Sequence, residues 1–280
     1  MAGILERALA VMEHLSSRPE GVPLASLAQQ LEIPQSAAHR LLTDLCRCGY
    51  VRQIRDHGDY ALTARVASIG LSYLAATGIV DIAQPLVDRL AEISGELVRL
   101  AIVDNERLTW VAKAQGARHG LRYDPEMGSD ARLSCSASGH AWMLTMSDER
   151  ALDLVSRQGF GTPEEYGPNA PTTISALTKI LHAGRKRGYA MINEVFAPGM
   201  TAMAAPVQRK GEDAIGVLSI AGPAMRLTEA RMLELGPDLL AAAGELALAS
   251  LASPMFRTRF PMQGRNAGDE TSPNEQRRQA

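Results

Sequence analysis

A set of polar residues near the amino end repeats with the period of a helix. Its members are Gln35, Ser36, His39, Arg40, Thr43 and Arg47. From Gln35 to Arg47 every fourth residue is polar, so on a helix these residues form one stripe. In a major groove, arginine pairs with guanine and glutamine with adenine, and the first residues of a recognition helix make most base contacts. We therefore expect the members from Gln35 to Arg40 to contact bases. The alternative is the solvated face of a helix that only packs.

Basic residues continue beyond this stripe into a predicted β-hairpin. Arg52, Arg55 and His57 lie there, where a wing contacts phosphates or the minor groove. Residues 35–55 hold four arginines and one acid, whereas residues 1–65 hold seven of each. The basic surface is therefore local, which predicts a modest affinity that depends on a dimer.

A second cluster, Ser134-Cys135-Ser136-Ala137-Ser138-Gly139, precedes a predicted helix in the middle of the chain. Small residues at a helix start leave backbone N–H groups accessible, and such groups bind carboxylates. Tight packing of the helix on a sheet is the alternative. A hydrolase would use one of these serines or Cys135 with His140. That hypothesis is disfavoured because no G-x-S-x-G elbow occurs, and positions i and i+2 of a helix do not face each other.

The three cysteines predict no disulfide framework and fit a reducing compartment. Cys46 and Cys48 lack a second pair at zinc spacing, so no metal site is predicted. We expect Cys135 to be a small buried apolar residue, with a nucleophile or redox sensor as the alternative. No cofactor is predicted either, because the sequence has no Walker A segment, no H-E-x-x-H motif and no dinucleotide fingerprint.

Apolar residues repeat at helical spacing in three segments before residue 50. The inward positions are Leu5, Ala8, Leu9, Met12 and Leu15, then Leu24, Leu27, Ala28 and Leu31, then Ala38, Leu41, Leu42 and Leu45. Gly49 ends the third helix, and an alternating strand at 50–55 and a return strand from Tyr60 follow. A helix, a short helix, a turn, a helix and a β-hairpin make up a winged helix-turn-helix.

The next part of the chain mixes long helices with β-patterned segments. A helix is predicted from Ala64 to Thr77, ended by Gly78, with Val66, Ile69, Tyr73 and Leu74 on one face. Further helices are predicted at Asp81–Ser94, Ser138–Met146, Asp148–Ser156, Thr173–Arg187 and Glu229–Leu251. Strands are predicted at Glu96–Val103, Arg107–Ala114, Arg118–Tyr123, Tyr189–Asn193, Thr201–Val207 and Ala214–Ala221. This order predicts an α+β fold with an antiparallel sheet rather than βαβ units.

Composition excludes several classes of protein. The 280 residues are 46% apolar, too many for a wholly disordered chain, and the formal charge of −2 excludes a histone-like protein. Aromatic residues make up 4%, which disfavours a groove of stacked aromatics. No apolar run is long enough for a membrane helix, and Glu6 and Arg7 interrupt the start. We therefore expect a soluble cytoplasmic protein without a signal peptide.

Several segments resemble, in order, the isocitrate lyase regulator (IclR) family of bacterial transcription factors. They are Pro34–Leu42 with Gly49–Val51, Leu97–Ala101, Ser136–Ala141, Gly188–Ala190, Ala204–Val207 and Ser219–Pro223. The resemblance spans residues 3–250. It implies an N-terminal winged helix-turn-helix, a linker helix and a C-terminal GAF-like effector-binding domain. It also implies dimers, often paired as tetramers, that control a catabolic operon.

The same resemblance implies an effector site. The matching positions are Ala137, Ser138, Asn193, Ala202, Ser219 and Ala221, with Asn193 close to an acidic position of the family. The implied effector is a small organic acid or an aromatic acid. The chain departs from the family pattern at Ala37, at His140 and at Asn193, where threonine, lysine and an acid are usual. The last two departures lie in or near the effector region, so no particular ligand is carried over.

The sequence thus predicts a DNA-binding transcriptional regulator, a repressor in preference to an activator, and not an enzyme. Its expected partners are an operator duplex, a small carboxylate effector and further copies of the chain, as a homodimer or a dimer of dimers; no membrane is involved. The predicted divisions are a DNA-binding domain at 1–62, a linker helix at 63–78, an effector domain at 79–252 and a disordered tail at 253–280. A hydrolase using residues 134–138, and an adaptor whose winged helix packs on protein, stay open as alternatives.

Overall fold

The computed structural model describes residues 3–54, 58–123, 130–162, 165–250 and 253. The chain divides into two compact units, Met1–Asp81 and Ile82–Ala280. The predicted disordered tail lies outside the described residues, apart from Ser253. In the described ranges no single helix has the length and hydropathy to cross a membrane. One pair of consecutive helices, Ala64–Thr77 and Ile79–Ser94, meets both criteria when the two are taken together, but the pair is bent by 85°.

Three helices build the core of the first unit: α1 (Ile4–Ser16), α2 (Leu24–Gln30) and α3 (Gln35–Arg47). Their apolar faces meet because side chains three and four positions apart share one side of a helix. The buried residues include Val11, Leu15, Leu27, Ala28, Ala38, Leu41, Leu42 and Leu45. The predicted inward face of α3 is therefore confirmed. For α1 it is partly wrong, since Leu5 is 72% exposed and Leu9 is 49% exposed.

A small hairpin and a fourth helix complete the first unit. Strands β1 (Val51–Gln53) and β2 (Tyr60–Leu62) pair antiparallel. Helix α4 (Ala64–Thr77) begins at Thr63, whose hydroxyl accepts from the Arg65 N–H and donates to the Gly49 carbonyl at 2.6 Å. It ends at Gly78, whose φ of 64° is the left-handed conformation that glycine adopts without strain.

The second unit contains a five-stranded antiparallel sheet in the order β4-β3-β7-β6-β5. The strands are β3 (Leu97–Asp104), β4 (Arg107–Gln115), β5 (Ala190–Asn193), β6 (Met200–Val207) and β7 (Gly216–Pro223). A tight turn at Asn105 and Glu106, both with positive φ, joins β3 to β4. The α+β class and the antiparallel pairing are confirmed.

Helices cover both faces of this sheet. On one face α6 (Ala137–Met143), α7 (Asp148–Gln158) and α8 (Ile174–Arg187) share a core with side chains of every strand. Helix α9 (Glu229–Ala249) lies against β6 and β7, and α5 (Ile79–Ser94) joins it through an ion pair between Arg89 and Glu245. Both sides of the sheet are therefore buried, which explains the near-continuous apolar sequence of β3, β6 and β7.

One predicted strand is wrong. Residues 118–123 form no strand, and among the described residues β4 is the edge of the sheet next to them. The chain leaves the sheet at Gly116, where an added Cβ would lie 2.0 Å from the Ala91 carbonyl oxygen. The side chain of Gln115 then holds the segment, donating to the Tyr123 carbonyl at 3.0 Å and accepting from the Ala117 N–H at 3.1 Å.

Candidate DNA-reading helix and effector cavity

Helix α3 presents the predicted polar stripe to solvent. All six of its members, from Gln35 to Arg47, are exposed, whereas the opposite face packs in the core. The division is sharp because the buried positions are Ala38, Leu41, Leu42 and Leu45 and every one of them is apolar. The stripe is therefore free to meet a partner without any change in the core of the first unit.

Local contacts restrain two members of the stripe. The Thr43 hydroxyl donates to the His39 carbonyl at 2.8 Å, and Arg47 forms an exposed ion pair with Asp44 at 2.8 Å. Such a pair is worth little in water, so it leaves Arg47 able to exchange a carboxylate for a phosphate. Arg52 is exposed on β1. The other wing residues, Arg55 and His57, lie outside the described residues.

The second unit contains a small cavity beside the start of α6. Every strand of the five-stranded sheet contributes to its wall. The described lining is Arg99, Trp110, Tyr123, Ser136, Ala137, Ser138, Ile192, Phe196, Met200, Ala202, Ser219 and Ala221. Its volume is about 20 Å³, room for about one water molecule.

The structure brings together five of the six residues predicted for an effector site. Ala137, Ser138, Ala202, Ser219 and Ala221 all line the cavity. Antiparallel pairing places Ala202 opposite Ala221, and Ser219 opposite Arg99. Asn193 is absent from this lining; it is exposed, and its carbonyl accepts from Asn169 Nδ2 at 2.9 Å. The role of these residues in binding stays a prediction.

Arg99 and Trp110 are among the wall residues that the sequence prediction missed. Both are almost fully buried, at 7% and 5% exposure, and the guanidinium carbon of Arg99 lies 3.9 Å from the centre of the Trp110 ring. A cation above an aromatic face is attracted to it, and the attraction grows where water is excluded. The signal in the sequence was an arginine inside the apolar strand Leu97–Val103, where a charge is costly to bury.

The segment before α6 is held by side chains that bind its backbone. Gln158 accepts from the Leu133 N–H at 2.7 Å and donates to the Ala131 carbonyl at 3.1 Å. Ser136 donates to the Arg132 carbonyl and accepts from the Gly139 N–H at 2.9 Å. The N–H of Gly139 is therefore already satisfied, and a ligand carboxylate would have to rely on other groups of the cavity.

The histidine and the cysteine of this segment are both buried. His140 is fully buried, and its Nε2 lies 2.8 Å from the Ser134 carbonyl, so Nε2 carries the proton and donates. Burial lowers the pKa of His140 to about 4. Burial also raises the pKa of the Cys135 thiol to about 11, which keeps it protonated at neutral pH. Nε2 of His140 thus binds backbone, and Nδ1, its other ring nitrogen, is buried without a hydrogen-bond partner among the described residues.

The described residues contain no cluster of three or more histidine, cysteine or acidic side chains that could hold a metal ion. Cys46 is half-buried on α3, and Cys48, which directly follows α3, is exposed. A second cysteine pair would be needed to complete a zinc site there.

Family models match both units. The model described as the IclR helix-turn-helix domain matches residues 4–55, and that of the bacterial transcriptional regulator IclR C-terminal domain matches residues 71–248. The chain belongs to the IclR family of bacterial transcriptional regulators. The first unit accordingly carries the DNA-binding domain of this IclR-family regulator, and the second carries the effector-binding domain.

Curated relatives agree with this assignment. The transcriptional repressor IclR of Escherichia coli is 31% identical over 248 residues, which cover 88% of this chain and 89% of the relative. The acetate operon repressor of Salmonella typhimurium is also 31% identical over 248 residues, with the same coverage. The HTH-type regulator BhcR of Paracoccus denitrificans is 28% identical over 242 residues, covering 86% of this chain and 85% of that protein.

Solved structures show that the fold is shared. An IclR regulator from Alicyclobacillus acidocaldarius matches with a TM-score of 0.76 at 20% identity, covering 89% of this chain and 99% of that chain. An IclR homologue from Microbacterium hydrocarbonoxydans, complexed with 4-hydroxybenzoate, matches with a TM-score of 0.73 at 19% identity, covering 90% of this chain and all of that chain.

Proposed function

We propose that this regulator represses transcription by binding an operator through α3. Binding of a small organic or aromatic acid to the second unit then changes its affinity for that operator. In this proposal Gln35, Ser36, His39 and Arg40 contact base edges. Thr43 and Arg47 on the same stripe, and Arg52 and Arg55 on the wing, contact phosphates. Residues 1–62 act as the DNA-binding domain, 63–78 as a linker helix and 79–252 as the effector domain. The protein acts in the cytoplasm, where its DNA lies.

The single observation that carries the proposal is the two-sidedness of α3. An apolar face fixes the helix in the core, while the opposite face offers two arginines, a glutamine, a histidine and two hydroxyls to solvent. Such groups match the donors and acceptors of a major groove. An adaptor that docks on protein would instead be expected to expose apolar or aromatic anchors on this face.

We propose a homodimer, with pairing into a dimer of dimers as its extension. Large apolar side chains of the first unit stand exposed on α1 and α4. They are Ile4, Leu5, Leu9, Ile69, Leu71 and Tyr73. Exposed apolar groups of this size mark a binding surface, and a second copy covering them would set the spacing of two recognition helices. Leu71→Glu should then yield monomers in analytical ultracentrifugation; an unchanged dimer would exclude α4 from the interface.

The cavity beside α6 is proposed as the effector site, with Ala137, Ser138, Ala202, Ser219 and Ala221 in its wall. Asn193 is proposed to act at its edge. Because the cavity volume is about 20 Å³ and a ligand site usually needs hundreds of Å³, binding must open the wall. Tyr123 and Phe196 are only half-buried, so they are the side chains freest to move. A ligand that prefers the opened state shifts the protein towards it.

We propose that the chain catalyses no reaction of its own. The family relatives are regulators, and the nucleophile of a hydrolase would need a hydrogen bond to its base. Nε2 of His140 binds the Ser134 carbonyl at 2.8 Å and Nδ1 has no hydrogen-bond partner among the described residues, so the ring bonds none of Cys135, Ser136 and Ser138. Turnover of esters or amides that is lost in Cys135→Ala or Ser138→Ala would revive the enzyme hypothesis.

The proposed function is tested with the DNA upstream of the protein's own gene in a salt-dependent gel shift. Gln35→Ala with Arg40→Ala should weaken specific binding by about 1–3 kcal/mol per lost base contact. The matched control is Lys179→Ala, which removes one positive charge from an exposed helical position in the second unit. If the double variant binds as tightly as the wild type, α3 does not read the DNA. If neither the wild type nor the double variant binds this DNA specifically, the result would favour the alternative of an adaptor whose winged helix packs on protein.

A further inference from the structure

We infer that residues 255–262 bind along α9 of their own chain and cover an apolar stripe on that helix. These residues, which we call the docking segment, lie outside the described residues and beyond residue 248, where the matched family model ends. The inference concerns an interaction surface of the second unit and does not depend on the proposed binding of DNA or of an effector.

An apolar stripe runs along the solvent side of α9. Its members, all exposed, are Leu233, Pro237, Leu240, Ala241, Gly244 and Leu248, and we call them the α9 stripe. They recur at helical spacing, so they share one side of the helix. The three leucines are 52%, 40% and 67% exposed in chain order. Contiguous exposed apolar surface of this kind marks a binding surface.

The charges of α9 disfavour a second α9 as the partner of the stripe. The helix contains four acids, all exposed, and one arginine. Glu234 and Asp238 each directly follow a member of the stripe, so they line one of its edges. Glu234 and Glu245 form exposed ion pairs, whereas Asp238 has no ion-pair partner among the described residues. Two such helices would bring like charges together, so the partner that fits is an apolar segment with positive charge.

The docking segment has this chemistry. Its sequence is Met255-Phe256-Arg257-Thr258-Arg259-Phe260-Pro261-Met262, with two arginines and no acid. In an extended backbone alternate residues share a face, so Phe256, Phe260 and Met262 would lie together on one side. The arginines would lie on the other side, and their long stems allow the charged ends to reach acids beside the stripe.

The repeat distances of the helix and of the docking segment agree. Positions four apart on a helix are separated by about 6 Å along its axis, and alternate residues of an extended chain by about 6.6 Å. Phe256 and Phe260 would therefore be about 13 Å apart. Leu248 and Leu240 are about 12 Å apart along α9. A segment that runs back along α9 can thus place each phenylalanine on one of these leucines.

The connection to α9 allows this path. Ser253 is buried, and its N–H donates to the Ser250 carbonyl at 2.9 Å, which forms a turn directly after the helix. Pro254 has no N–H with which to continue a helix. Because the docking segment begins so soon after this turn, its effective concentration at the stripe is about millimolar, and weak contacts suffice to hold it there. With the stripe covered, α1 and α4 remain the surface proposed for the dimer.

The first test traps the contact as a disulfide in the full chain, with Cys48→Ser to remove the exposed native thiol. Under mild oxidation, Leu240→Cys with Phe260→Cys should form a bond within one chain. The matched control is Glu245→Cys with Phe260→Cys, whose first position is exposed and closes a shorter loop but lies beside the stripe. The first pair should close at least about tenfold faster, whereas a freely moving segment would close the shorter loop at least as fast. Equal rates, or a bond between isotope-labelled and unlabelled chains, would overturn the inference; the second result would assign the stripe to another copy.

The second test uses trypsin on the full chain with its native cysteines. Cleavage after Arg257 and Arg259 should be at least about tenfold slower in wild type than in Leu248→Asp, because burial of one large apolar side chain changes the docked population by about that factor. Met225→Asp, which replaces an exposed apolar residue outside α9, is the matched control and should be cleaved as wild type is. Cleavage after Arg277, beyond the docking segment, should be alike in all three proteins. Equal cleavage of the docking segment in wild type and Leu248→Asp would overturn the inference, even if neither cysteine pair closes.

Discussion

The buried histidine of α6 gives the second unit a specific sensitivity to acid. Burial lowers the pKa of His140 from its ordinary 6.5 to about 4, so the folded unit holds the ring neutral. An unfolded chain binds a proton there at a higher pH than the folded chain does. The stability that depends on a neutral ring is therefore complete above pH 6.5 and is lost as the pH falls towards 4.

The size of the loss follows from the two pKa values. Linkage between 6.5 in the unfolded chain and about 4 in the folded chain gives a loss of about 2 kcal/mol in the free energy of unfolding between about pH 7.5 and about pH 5. The loss grows to about 3 kcal/mol near pH 4. A value of this size is a large part of the stability of an ordinary domain.

The assay is urea unfolding followed by tryptophan fluorescence. Both tryptophans of the chain, Trp110 and Trp142, lie in the second unit, so their signal reports that unit. Between about pH 7.5 and about pH 5, the free energy of unfolding of His140→Gln should fall by about 2 kcal/mol less than that of wild type. His119→Gln, which replaces an exposed histidine of the same unit, should keep the wild-type pH dependence. Equal acid losses in wild type and His140→Gln would refute the reasoning.

Further predictions concern an ion pair with a buried carboxylate and two glycines. Glu96, whose side chain is 5% exposed, accepts from the more exposed Arg226 at 2.6 and 2.8 Å, so Arg226→Gln should cost about 2 kcal/mol in urea unfolding, and adding Glu96→Gln should recover part of it. An unchanged midpoint would show that the pair contributes nothing. Gly116→Ala would place Cβ 2.0 Å from the Ala91 carbonyl oxygen and should destabilise by about 2 kcal/mol or more. Gly244→Ala, in open space on α9, should stabilise by up to about 1 kcal/mol; the opposite order of the two melting temperatures would contradict the packing described.

Local sequence patterns predict most elements of this fold because they depend on neighbours within a few residues. The inward face of α3 and the end of α4 at Gly78 both come from such patterns. Periodicity does not tell which molecule covers an apolar face. Leu5 was predicted to face inward on α1, and Ile69 was predicted to share one apolar face of α4, yet both are exposed in the single chain.

The candidate site was only partly predictable, for a related reason. The small residues of the cavity wall were found through their resemblance to a family pattern. Trp110 was missed because simple alternation places it on the same face of the sheet as Ala112, which is the face away from the cavity. The β-bulge that turns Trp110 to the cavity face is invisible in the sequence. The position of Arg99 inside an apolar strand was a local signal, but its place in the cavity wall depends on the pairing of β7 with β3, which puts Ser219 opposite it and which no local pattern indicates.

The same limit explains the wrong strand at residues 118–123. Alternating polar and apolar residues predict an extended backbone, which forms a strand only where a neighbouring strand has free hydrogen-bonding groups. After Gly116 the backbone instead bonds to the side chain of Gln115, which accepts from the Ala117 N–H and donates to the Tyr123 carbonyl. A single glutamine therefore replaces a ladder partner there.

The central claim is that side chains of α3 contact base edges of the operator and thereby determine its sequence specificity. It is tested most directly by titrating wild type and Gln35→Ala against single-base-pair variants of the upstream operator. The account predicts that Gln35→Ala loses discrimination at one position of each half-site and keeps it elsewhere, with the melting temperature of the protein unchanged. An affinity that falls equally for every operator variant, with the base preferences of wild type intact, would contradict it.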